Sequence, residues 1–200
     1  MEWVLGILFA GLTVPPEEAN AAEPVTAIYC DMEYQTRQGR AFRVVPDCPN
    51  VENREAMERQ VQRQMREAYP ALRDLSVRDM TGRVFFEPEE TEGGTYWRIQ
   101  PGVISRINAY YPRNAYESSI SGACTATYDV IEGTPENICI RCRASDFRGE
   151  FIREMRRAIR RSYFVNTDTP LSQTYRVDFP HPENPSPGFP DVPDCSDNED

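Results

Sequence analysis

A chain of 200 residues, 40% hydrophobic and 27% charged, holds enough apolar material for one or two ordinary domains, and its 17 prolines mark looser stretches between ordered ones. A net charge of -10 argues against sequence-neutral nucleic-acid binding, which needs a basic footprint. All 22 basic residues are arginine, which excludes a catalytic, Schiff-base or phosphate-loop lysine, and the single histidine, His181, leaves little material for a histidine metal site or a His-paired nucleophile. Residues 3–14 are apolar and uncharged, too short for a bilayer core that needs about 20 residues. Pro15-Pro16 ends the run, and Ala19-Asn20-Ala21 offers a small-x-small cleavage site. Residues 1–22 are therefore expected to be a signal peptide cleaved near Ala21, although Glu2 leaves the first residues without a basic side chain. The mature protein is expected in the periplasm, with no stable membrane insertion. The alternative is a short buried helix opening a cytosolic protein.

The next elements fall over residues 23–92. A strand over 27–34, a turn at Gly39 and a strand over 41–45 precede a helix over about 53–69. Its apolar positions Met57, Val61, Met65 and Tyr69 form one stripe. A last strand covers 75–86. Glu87, Glu89, Glu90 and Glu92 then open a junction, with 93–110 read as a solvated linker rather than a carboxylate site for acid–base chemistry. Beyond it the same grammar returns: strands over 123–131 and 136–141 about Gly133, a helix over about 146–163 with Asp146 as N-cap, and a strand over 174–179. Residues 181–200 form a proline-rich acidic tail suited to extended, not helical, backbone.

The cysteines tie the two halves together. Cys30 to Cys48 and Cys124 to Cys142 are both steps of 18, related by a shift of 94. The same shift maps Tyr34 onto Tyr128, Gly39 onto Gly133, Met57 onto Phe151, Val61 onto Met155, Met65 onto Ile159 and Tyr69 onto Tyr163. It also maps Arg54, Arg59, Arg63 and Arg66 onto Arg148, Arg153, Arg157 and Arg160. The expected fold is α+β, built of two tandem β-β-α-β units. Each is a helix on a three-stranded antiparallel sheet. Cys30 and Cys48 lie nine residues either side of Gly39, as Cys124 and Cys142 do about Gly133. Opposed antiparallel residues have the Cα spacing that a disulfide accepts. Cys30–Cys48 and Cys124–Cys142 are therefore the expected bridges, which persist outside the cytosol. Cys139 points to the other face of its strand from Cys142, and Cys195 is its expected partner. Cys139-x-x-Cys142 is formally a redox motif, but it falls in a strand, not at a helix N-terminus. No enzyme activity, metal or cofactor is expected.

Residues 111–180 resemble the C-terminal domain of TonB. The features that carry the likeness are Tyr111-Pro112, Ala115, Gly122 before the strand 125–130, Gly133, Glu136-Asn137-Ile138, the helix from Phe151 to Arg161, and the strand 174–179. Residues 23–92 look like a degenerate copy. The chain departs from the family's helix end at Ser162 and Asn166. The resemblance implies a module that binds an extended segment of a protein partner, such as an outer-membrane transporter, by adding it to a sheet edge. It implies Thr174, Tyr175, Arg176, Val177 and Asp178 as the receptive edge, with Tyr111 and Pro112 grouped beside them. With the apolar start cleaved, neither the anchor nor the proline-rich spanner of full TonB is expected. The alternative is a free-standing envelope-interaction protein whose units pair and fill their own edges. Between Arg141 and Arg161 eight arginines face three acids, read as a solvated helix face over which the acidic tail folds.

Overall fold

Side chains alternate along the first strand: Cys30, Met32, Tyr34 and Thr36 are buried, while Asp31, Glu33 and Arg37 face solvent. That period of two makes a sheet with one face under cover. The structure, a computed structural model, describes residues 28–49, 51, 53–166 and 169–193. The expected signal peptide and Cys195 lie outside these residues. The protein is α+β, with antiparallel sheets and, wholly among the described residues, the disulfides Cys30–Cys48 and Cys124–Cys142.

The first sheet comprises β1 (Ile28–Arg37), β2 (Arg40–Asp47), β3 (Met80–Thr91) and β4 (Gly94–Ile99), in the order β2-β1-β3-β4. Between β2 and β3, α1 (Arg54–Glu67) buries Met57, Val61 and Met65 against it. The sheet has four strands where three were expected, because β3 runs past the start of β1. Ile28 pairs with Phe86 on one edge of β3, and β4 pairs with residues 86–91 on its other edge. Glu87 and Glu90, expected in a solvated junction, are strand residues: Arg98 donates to Glu87, and the Thr95 hydroxyl donates to Glu90. Residues 93–110, expected as a linker, hold β4 and β5 (Val103–Ser105).

After the short α2 (Arg113–Glu117) come β6 (Gly122–Ile131), β7 (Thr134–Ala144), α3 (Arg148–Arg161), β8 (Tyr163–Phe164) and β9 (Leu171–Phe179). The second sheet has the order β7-β6-β9, and α3 buries Phe151, Met155 and Ile159 in its core. Asp146 does not take the N-cap place. Phe147 does, with φ 56, and its carbonyl accepts from Glu150 and Phe151, while the Asp146 carboxylate accepts from the Phe147 amide.

Both hairpins turn on two residues with left-handed backbone, Gln38 and Gly39 (φ 50 and 71), and Glu132 and Gly133 (φ 49 and 74). This is the type I′ geometry whose hand matches strand twist. Arg37 then pairs with Arg40, and carrying that register on would place Asp47 opposite Cys30. A bulge intervenes between Glu33 and Gln35, with Arg43 at φ 50 on the opposing strand. The second hairpin slips likewise between Thr127 and Asp129, opposite Asn137 at φ 50. Past the bulge Asp31 faces Asp47, one step from Cys30 and Cys48, and Cys124 faces Cys142. The bridged Cα atoms are 4.2 and 4.1 Å apart. The cysteine symmetry about each glycine thus comes from a two-residue turn plus one bulged residue.

Both helices stop before their expected ends, leaving Tyr69 and Tyr163 outside them. Tyr163 instead enters the first core with Val165, while Phe164 enters the second. The Tyr163 hydroxyl donates to the Gly39 carbonyl at 2.9 Å, and its ring meets Tyr34 edge-on at 5.7 Å. β8 pairs with β5, the Leu72 amide donates to the Arg160 carbonyl, and Arg161 grips Asp74 through two bonds of 2.7 and 2.6 Å. The two sheets are thereby joined.

Candidate strand-addition edge on the last strand

β9 pairs with β6 alone, and among the described residues no strand lies on its outer edge. Thr174 pairs with Thr127, Tyr175 with Ala126, Arg176 with Thr125, Val177 with Cys124 and Asp178 with Ala123. Thr174, Arg176 and Asp178 are exposed; Tyr175 and Phe179 are buried in the second core. The Arg106 guanidinium lies 4.2 Å over the Tyr175 ring. Burial holds the Tyr175 and Tyr128 hydroxyls above their ordinary range. The start of the strand is pinned across the sheet by Asp129, which accepts from Asn137 at 2.8 Å and from Ser172 at 2.6 Å. Those two donors hold its carboxyl below the usual range. An open cleft of about 520 Å³ lies at this end, lined by Ser172, Gln173 and Thr174 with Val192 beyond them.

Tyr111 is a packing residue at the other end of the strand. Its ring meets Phe151 at 5.9 Å and Phe179 at 5.8 Å, and its hydroxyl donates to the Ile120 carbonyl. Pro112 occupies the N-cap position of α2. Both lie beside the end of β9 rather than along its edge.

The described part of the tail is not over α3. It crosses the opposite face of the second sheet. Thr125 and Thr127 alternate with the helix-facing Cys124, Ala126 and Tyr128, and they donate to the carbonyls of Pro190 and Pro193. Ser121 donates to the Asn184 carbonyl, and Arg176 lies over the Phe189 ring at 5.8 Å. Thr125 is fully buried as a result. The signal that sequence reading missed is in β6 itself, where five consecutive residues are buried, as they are in a strand covered on both faces. On the basic helix, Arg153 and Arg157 meet Glu150 and Glu154, and Arg161 meets Asp74, so its counter-charges come from the helix and from the first half.

Cys142 is bonded to Cys124, so Cys139 and Cys142 are not a redox pair with each other. Cys139 is itself disulfide-bonded, and its expected partner, Cys195, lies outside the described residues. Among the described residues no three His, Cys, Asp or Glu side chains converge as a metal site, and no helix is long and apolar enough to cross a membrane. No family model, curated protein or solved structure matches the chain.

Proposed function

We propose that the protein is an exported, non-enzymatic binding module of TonB-like type, which takes an extended segment of an envelope partner onto the outer edge of β9. An outer-membrane transporter segment is the partner this reading favours. The observation that carries it is the unpaired edge of β9, with Thr174, Arg176 and Asp178 exposed along it. Strand addition draws affinity from main-chain hydrogen bonds, and side chains on alternate positions supply selectivity. The two bridges suit an oxidising compartment.

The reading includes an ancestral duplication, giving two tandem β-β-α-β units. Its support is that β1 and α1 superimpose in numbering on β6 and α3 under the shift of 94, as do the turn residues 38 and 39 and the bulge residue 43. One observation bears on the envelope-interaction alternative: the halves do join, through β5, β8 and the Arg161–Asp74 pair. They join without covering β9, which is why the binding reading is preferred.

The test is a photo-crosslinking residue in place of Thr174 within cells, with a second at Arg43 on β2 as a control. The reading predicts an adduct with the extended segment of an outer-membrane protein from position 174 and none from 43. Equal labelling from both positions, or adducts confined to soluble bystanders, would count against it.

A further inference from the structure

A second cleft lies in the first half, between α1 and β4, with a volume of about 420 Å³. Arg59, Gln60 and Arg63 line it from the helix, and Thr95, Tyr96 and Trp97 from the strand. Successive side chains of a strand point to opposite faces. Three consecutive strand residues therefore border one cleft when the strand presents its edge, main chain included. That edge is the outer edge of β4, which has no strand partner among the described residues. The arrangement is an edge strand with a helix as the facing wall, a groove shaped for one added strand. From Asn53 to Arg63 the wall runs about 15 Å at about 1.5 Å per residue, room for four or five extended residues at about 3.3 Å each.

Its chemistry selects the occupant. Met57 lies at the groove and Trp97 is half-buried against the first core, while Tyr96 is 51% exposed. No acidic residue lines the cleft among the described residues, although the chain as a whole carries -10. Arg59 holds Glu55 at 3.4 Å, an exposed pair of the weak kind that a better-placed carboxylate displaces. Arg63 is exposed and has no ion pair among the described residues. We infer that this groove binds an extended acidic peptide segment of a partner protein. Its main chain pairs with β4, an apolar side chain rests on Trp97, and its carboxylates meet Arg59 and Arg63 as planar forks. This is a site separate from the β9 edge and does not depend on it.

The test titrates the isotope-labelled protein, disulfides intact, with the peptide acetyl-Thr-Glu-Val-Glu-Val-Thr-amide and with its twin bearing lysine for glutamate. The expected result is amide shifts over residues 56–63 and 95–97 with the acidic peptide, at least tenfold weaker with the lysine twin. Methylating alternate peptide nitrogens on one edge should abolish binding, while methylating the other set should leave it. The exposed double variant Arg59→Glu with Arg63→Glu should reverse the preference toward lysine. Equal binding of both peptides, shifts confined to 171–179, or no shifts at millimolar peptide would each overturn the inference. Shifts confined to 171–179 would do so while favouring the β9 reading.

Discussion

Gly122 opens β6 at a place where no side chain fits: a Cβ there would lie 2.9 Å from the Phe151 ring. Gly122→Ala is expected to destabilise the protein by about 1–3 kcal/mol through overpacking, read as a lower urea midpoint at unchanged slope. The sequence marks this glycine, but the ring that requires it is visible only once α3 is packed. The turn residues Gln38 and Glu132 present the opposite case, with left-handed backbone on residues that dislike it. Asn tolerates that conformation better. Gln38→Asn and Glu132→Asn should each recover a fraction of the roughly 1–2 kcal/mol that left-handed backbone imposes, seen as a raised melting temperature. A lowered one would show that the side chains matter more than the turn.

At the scale of elements, the bridge depends on the number of residues between the turn and Cys48. Inserting one alanine after Arg43, with the bulge still holding a single extra residue, would set Asp47, not Cys48, beside Cys30 and would turn the strand's alternate side chains over. Non-reducing peptide mapping should then find Cys30–Cys48 lost and Cys124–Cys142 kept, whereas Arg43→Gly should retain both. Each bridge closes a step of 18 residues and contributes on the order of 3 kcal/mol by chain entropy. The cysteine spacing was legible from residues alone because disulfides demand opposition. The bulge was not, since arginine carries no turn signal; Asn137 at the matching place is the better hint. β4 was missed for a related reason: Glu87 to Gly94 has the composition of a solvated loop, and only pairing with 94–99 makes it a hairpin.

At the scale of the whole molecule, the Asp74–Arg161 fork joins the halves, and its pH dependence has a definite sign. Arg161 holds the Asp74 carboxyl below its ordinary value of 3.8. The stabilisation is therefore present above that ordinary value and is lost as pH falls through the lower folded value. The stability gap between the native protein and Asp74→Asn should be level from about pH 7 to about pH 5 and should close below about pH 4. A gap that widens on acidification would contradict the assignment. The joint itself was hidden in the sequence, because Tyr163 continues the helical stripe of α3 yet packs beside Tyr34 in the other core. The tail's path was hidden too: its acids suggested the basic helix, but hydroxyls on β6 hold its prolines to the opposite face.

The central claim is an open receptive edge on β9, and amide hydrogen exchange of the free protein tests it most directly. Amides of β9 that point at β6 should exchange slowly, and those that point outward should exchange fast, giving alternation from Gln173 to Asp178. Uniform slow exchange along β9 would mean that the edge is already covered, and the binding reading would give way to a closed envelope-interaction protein.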